Sequence, residues 1–333
     1  MSNNNLPSSA SQTQINALNT AGNILKARNA ALKPTQYSAR ITRDNPCAVI
    51  ILIDQSGSMR SEITNHYGEI RKMSEAVAEI VNELFESLIM KCQRDNMVRD
   101  YFNFLVIGYG KEINNSGCSV VWDGNLSGKE WVNVSELKSN LLRTESFTKK
   151  ETMPWGAIIE EVKTRKIWFN NRDDGESTPM YEALQLCKAK VELWATNHQE
   201  SFPPMVFNIT DGLPSDIDDI SDLVSISNDI KSISTQDGHT LLFNCLLTNS
   251  SHKEIILPSE NEKPDFEKIE YHLALFEASS FLPNELKKTA FQVYKNDKYL
   301  HEEVKGVILN SRISTLVQLL NIGTNSTLSN AND

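Results

Sequence analysis

Seven consecutive apolar residues, Cys47 to Ile53 (CAVIILI), run directly into Asp54. A run this short and this apolar leaves no face for water, so it predicts a strand buried on both sides of a parallel sheet. Parallel neighbours need long crossovers, normally helical. The chain after Asp54 supplies them. Ile70, Met73, Val77, Ile80, Val81, Leu84 and Leu88 recur at three- and four-residue steps and predict one long amphipathic helix, with Glu69, Glu75, Glu79 and Glu83 on its other side.

The alternation continues. Phe102 to Tyr109 (FNFLVIGY) reads as a second buried strand ending at Gly108 and Gly110, and Cys118–Trp122 and Trp131–Val134 as shorter strands around a Gly124–Gly128 turn. The stretch from Leu137 to Asn171 has no assignable period. From Pro179 a helix carries Met180, Ala183, Leu184, Cys187 and Val191, with Pro in its first turn. Met205–Thr210 is a strand, Ile220–Ile233 a helix, Thr240–Leu247 a buried strand and Ser314–Leu320 a last helix. Strands alternating with helices, without an internal repeat, define an α/β fold: a central, mostly parallel sheet with helices on both faces.

Residues 1–45 form a polar extension rich in Asn, Ser, Thr, Gln and Ala, with room for one short helix around Ile15 to Ala31. Residues 46–250 are expected to form the main domain, and 251–333 an extension packing on the same body. The net charge of −10 and pI near 5.2 give no electrostatic drive toward nucleic acid or an anionic membrane. Met1 to Ala10 lack the basic start and apolar stretch of an export signal, and no apolar run reaches bilayer-spanning length. Cys47, Cys92, Cys118, Cys187 and Cys245 are odd in number and lie mostly in apolar segments, which favours buried free thiols and a cytoplasmic protein.

Three loops carry chemistry, each where a strand's carboxyl end or a helix start is expected. They are Asp54-Gln55-Ser56-Gly57-Ser58, Ser177-Thr178-Pro179 and Thr210-Asp211-Gly212-Leu213-Pro214-Ser215-Asp216. Open α/β sheets bind ligands beyond the carboxyl ends of their strands, so the three loops are expected to face one crevice. Two carboxylates and three hydroxyls are hard oxygen donors suited to Mg2+ or Mn2+. Zinc is a poor match, because no Cys or His lies in these loops. Each loop also has a plainer reading. Ser58 or Ser61 could cap the following helix, Thr178-Pro179 is an ordinary helix start, and Asp211-Gly212 is a common turn. Asp216 reads as a helix cap, with Asp218, Asp219 and Asp222 solvated near it.

Taken together and in this order, Asp54-x-Ser56-x-Ser58, Thr178 and Asp211 resemble the metal-ion-dependent adhesion site of von Willebrand factor A (vWA) domains, over roughly Pro46 to Leu247. The resemblance implies a Rossmann-like vWA fold in which Ser56, Ser58 and Thr178 bind the metal through hydroxyls. Asp54 and Asp211 would hold it directly or through water, and an open position would accept an Asp or Glu of a protein partner. The wording around Thr178 and Asp211 is similar to that of intracellular bacterial vWA proteins of the TerY type. That implies a scaffold in a stress-response or phage-defence system, with a kinase, phosphatase or AAA+ ATPase as partner, or else an adaptor bringing substrates to a MoxR-type AAA+ ATPase. The region 111–177 is longer than the family pattern and is expected to hold an insertion. The tail beyond Leu247 has no Cys cluster of the kind that forms a zinc module in some TerY-like proteins.

The residues do not favour catalysis. A metal-dependent phosphoesterase with Asp54 as nucleophile would want a second aspartate two positions on, where Ser56 stands, and more carboxylates for two metals. A serine hydrolase using Ser56 or Ser58 would want a Gly-x-Ser-x-Gly elbow, which is absent from Asp-Gln-Ser-Gly-Ser. The expectation is a non-enzymatic, metal-dependent binding module.

Overall fold

The computed structural model describes residues 37–95, 97–113, 116–152, 158–249 and 252–328. The helix expected around Ile15 to Ala31 lies outside them. The strands are β1 (Cys47–Asp54), β2 (Glu62–Thr64), β3 (Ile70–Lys72), β4 (Gln93–Arg94), β5 (Met97–Val98), β6 (Phe102–Ile113), β7 (Ser116–Val120) and β8 (Val132–Asn133). They continue as β9 (Arg143–Thr152), β10 (Ile158–Ile167), β11 (Met205–Thr210), β12 (Ser234–Thr235), β13 (Gly238–His239), β14 (Leu241–Leu247), β15 (Ile255–Ile256) and β16 (Val307–Ser311). The helices are α1 (Met73–Lys91), α2 (Val134–Ser139), α3 (Met180–Asn197), α4 (Ser221–Ser232), α5 (Glu270–Ala278), α6 (Asn284–Tyr294), α7 (Lys298–His301) and α8 (Ile313–Leu328).

One sheet organises the chain, in the order β15-β16-β14-β11-β1-β6-β7, with β8 also on β6. The pairs from β16 through β14, β11 and β1 to β6 are parallel, and the flanking strands β15, β7 and β8 are antiparallel. The fold is therefore α/β, with a mostly parallel mixed sheet between helices, as in Rossmann-like proteins. β1 lies inside the sheet, between β11 and β6, and every residue in it is buried. Its alternate side chains feed two cores. Cys47, Val49, Ile51 and Ile53 face a core shared with α1 and α8, while Ala48, Ile50 and Leu52 face one shared with α3, α4 and α5. That two-sided burial is what a continuous apolar run demands.

Two local expectations give way, and one unassigned stretch resolves. Ile70 is not on the first helix but in β3, 70% exposed, and α1 begins only at Met73. A three-residue hairpin with β2 turns the chain there, and a period of three or four cannot separate Ile70 from the stripe that follows it. Val134 starts a helix rather than ending a strand, because Asn133 and Glu136 form a reciprocal capping box. The unassigned stretch after Leu137 contains the long β9–β10 hairpin. At the other end of the chain, β16 pairs parallel with β14 and α8 packs into the same core as α1, so residues after 250 complete the central sheet. Among the described residues no helix is long and apolar enough to cross a membrane.

Candidate functional site

The chain leaves β1 for β6 on one side and later returns to β11 on the other, so the strand order reverses around β1. At such a point the loops beyond the carboxyl ends diverge and leave a crevice. Asp54 ends β1 and Asp211 directly follows β11, so both carboxylates come to this crevice.

Asp54 is fully buried, and each of its oxygens is held. Its Oδ1 accepts the Ser56 backbone N–H at 2.9 Å, and its Oδ2 accepts the Thr210 hydroxyl at 2.7 Å. These bonds orient the carboxylate and wrap the loop around it, as an Asx turn does. The loop then enters a short 3-10 turn, Gly57–Arg60, which puts the Ser58 hydroxyl where it donates to Asp211 Oδ1 at 2.7 Å. Ser56 Oγ and Ser58 Oγ lie 2.9 Å apart. With the Ser58 proton committed to Asp211, Ser56 is the donor in that contact. Ser56, Ser58 and Asp211 thus form one hydrogen-bonded row above Asp54.

Thr178 reaches the same loops through its backbone. Its N–H donates to Ser215 Oγ at 2.8 Å, and its carbonyl accepts from the Ser215 N–H at 2.9 Å. These two hydrogen bonds lock the threonine loop to the Asp211 loop. Neither Ser58 nor Ser61 caps α1, which is preceded by Lys72, so the capping reading of those serines gives way. Asp216 caps a helix across the crevice. Its carboxylate accepts the N–H groups of Tyr181 at 3.2 Å and Glu182 at 2.8 Å, in the first turn of α3. Asp219 similarly takes the Ser221 N–H at 2.8 Å.

Several residues that build the site carry no chemical motif. Gly110 has φ +140°, and a Cβ there would lie 2.7 Å from the Gln55 carbonyl carbon and the Ser56 nitrogen. A Cβ at Gly175 would lie 2.3 Å from the Gly110 carbonyl carbon, and the Gly175 N–H donates to the Gln55 carbonyl at 3.0 Å. Only glycine permits two backbones to flank the Asp54–Ser58 loop so tightly. Tyr271 of α5 donates to the Gly212 carbonyl at 2.6 Å, pinning the Asp211 loop from behind. Beneath the crevice Tyr109 donates to Asn208 at 3.0 Å, Asn208 to Asn244 at 3.0 Å, and Asn244 to Ser279 at 2.9 Å. Thr210 was adjacent to a motif residue, but nothing in the pattern of residues 271 or 175 marks their roles.

The electrostatics follow from crowding. Burial pushes the Asp211 carboxyl up to about 6, and the nearby Asp54 charge adds to the rise, against the Ser58 hydrogen bond. Burial also raises Asp54, although its hydrogen bonds oppose this. Two carboxylates in a partly desolvated crevice disfavour their own double charge. A bound cation would relieve that repulsion, and the donors are all oxygens. Ser56, Ser58, Asp211 and Asp54 fit an oxygen-seeking divalent ion, with Thr178 in the adjoining loop. Among the described residues, no group of three or more His, Cys, Asp or Glu gathers as a metal cluster. A site of this composition therefore depends on hydroxyls to complete the donor set. All five cysteines are buried and free.

No protein-family model matches the chain, and a search of curated proteins finds no match.

Proposed function

We propose that Asp54, Ser56, Ser58, Thr178 and Asp211 hold one divalent cation, Mg2+ or Mn2+, and that the protein is a vWA-type binding module whose metal takes an Asp or Glu side chain from a protein partner. The observation that carries this reading is the row Ser56 Oγ, Ser58 Oγ and Asp211 Oδ1, spaced at 2.9 and 2.7 Å over the carboxyl end of the central strand. Hydroxyl and carboxylate oxygens at such spacing suit a small hard cation that keeps waters. When bound, the cation supplies a strong, directional acceptor for one further carboxylate. The chain's residues do the rest: Thr210 and the Ser56 N–H orient Asp54, Tyr271 and Ser215 fix the Asp211 loop, and the two glycines set the loop's path.

Ser56 stands where the second aspartate of an Asp-x-Asp phosphoesterase pair would be, which favours binding over a metal-dependent phosphoesterase reaction. A scaffold role inside the cell, in a TerY-like stress or phage-defence system with a kinase, phosphatase or AAA+ ATPase, fits this reading. Recruitment of substrates to a MoxR-type AAA+ ATPase is the alternative. Calorimetric titration with Mg2+ and Mn2+, beside Asp54→Ala and Thr178→Ala, tests the site. Saturable binding of one ion that both variants lose is expected. Binding that survives both substitutions would refute it.

A further inference from the structure

The β9–β10 hairpin is ten residue pairs long and forms a sheet of its own. A two-stranded ribbon is marginal in water unless something covers it. One face is covered. Phe147 packs against Tyr67 with ring centroids 5.0 Å apart, and Arg165 lies over the Phe147 ring and pairs with Glu79 of α1. The opposite face is open, with Thr144, Ser146, Thr148, Val162 and Thr164 all exposed. Val162 is 72% exposed and Ile159 45%, and both belong to β10. Among the described residues no strand pairs with the outer edge of β10. An open edge bearing exposed apolar side chains is a template for strand addition.

The charge order along β10 specifies what would fit. Glu160 and Glu161 precede Val162, whereas Lys163, Arg165 and Lys166 follow it. Antiparallel pairing of this strand with its own copy about Val162 sets Glu161 against Lys163 and Glu160 against Thr164, with no like charges opposed. We propose that the outer edge of β10 pairs antiparallel with β10 of a second copy of this chain, about a two-fold axis at Val162, joining two hairpins into one four-stranded ribbon. Glu161 then opposes the partner's Lys163, and the symmetry makes that pair twice. Val162 meets its own counterpart, covering the most exposed apolar side chain among the strand's described residues. In the single chain Glu161 and Lys163 pair with one another at 3.2 Å, with Glu161 mostly in solvent and Lys163 partly so, and exchanging that contact costs little. The hairpin docks on α1, so this interface stands apart from the metal reading.

Sedimentation over a concentration series, with a single-cysteine crosslink, tests the pairing. Val162→Cys should give a disulfide-linked dimer under mild oxidation, since directly opposed residues in either antiparallel pair type lie within disulfide reach. The native cysteines are buried and do not compete. Glu161→Lys should weaken the dimer about tenfold by placing like charges opposite one another twice. Adding Lys163→Glu should restore it. The proposal is overturned if the chain stays monomeric throughout. A dimer indifferent to Glu161→Lys whose Val162→Cys form does not crosslink overturns it equally.

Discussion

Ser58 donates its hydroxyl proton to Asp211 across 2.7 Å, joining residues 153 positions apart in the chain. The contact ties the loop after β1 to the loop after β11, and it sets a first prediction. Ser58→Ala should lower Mg2+ affinity at least tenfold, as the loss of one oxygen ligand would. Stability should change by less than about 1 kcal/mol, because the bond is solvent-accessible. Calorimetry and urea denaturation on the same samples separate the two effects.

The raised Asp211 carboxyl predicts a pH dependence with a defined sign. Its folded pKa of about 6 lies above the ordinary 3.8, so between these values the folded state binds more protons than the unfolded. Metal-free protein should therefore lose stability as pH rises through that window, by on the order of 2 kcal/mol. Asp211→Asn should flatten this slope. Because protons compete with the ion, Mg2+ affinity should climb with pH up to about 6 and then level off. Thermal melts and titrations from pH 4 to pH 8 would show the opposite slopes, or their absence.

Asp216 separates capping from ligation. Its carboxylate takes two N–H groups at the start of α3, so Asp216→Ala should cost about 1 kcal/mol. Mg2+ affinity should stay within about threefold, since the loop retains its Ser215 bonds to Thr178. A loss of binding as large as that from Asp54→Ala would make Asp216 a ligand instead.

Gly110→Ala should damage the site without touching a donor. The added methyl would meet the Gln55 and Ser56 backbone, and φ +140° is itself hostile to a side chain. A stability loss of about 2 kcal/mol or more is expected, with weaker metal binding. Unchanged stability and affinity in that variant would show that the loop has slack the close approach does not suggest.

Asn208 is buried between Tyr109 and Asn244, and it links β11 to its neighbour β14 and, past β1, to β6. Asn208→Leu leaves the Tyr109 hydroxyl and the Asn244 carbonyl oxygen without this partner. It should cost roughly 2–4 kcal/mol in chemical denaturation. Tyr109→Phe, which removes one end of the chain, should cost less.

The central strands were legible because burial on both faces leaves no alternative composition. Cys47–Ile53 and Met205–Thr210 could be read as strands from hydrophobicity alone, and β11 has the bounds expected of it. The hairpin was not legible for the converse reason. β9 and β10 alternate Thr, Ser, Glu and Lys with few apolar residues, so their pairing rests on backbone bonds and a docked face that no local period records. The donors of the site were visible as three short loops. Their supports, Tyr271, Gly175 and Asn208, were not, because each acts on a backbone or side chain brought near only by the fold.

The order in which the sheet is assembled has a consequence for how the protein is made. β14 is followed by β15 and three helices before β16, residues 307–311, arrives to pair with it. A growing chain therefore carries an almost wholly apolar strand, LLFNCLL, with one edge unpaired while the intervening residues are still being added. Such an edge invites pairing with other nascent chains. Synthesis that stalls before Val307 should yield aggregate rather than a smaller folded protein, and fragments ending near residue 250 should need a chaperone or a supplied β16 peptide to stay in solution.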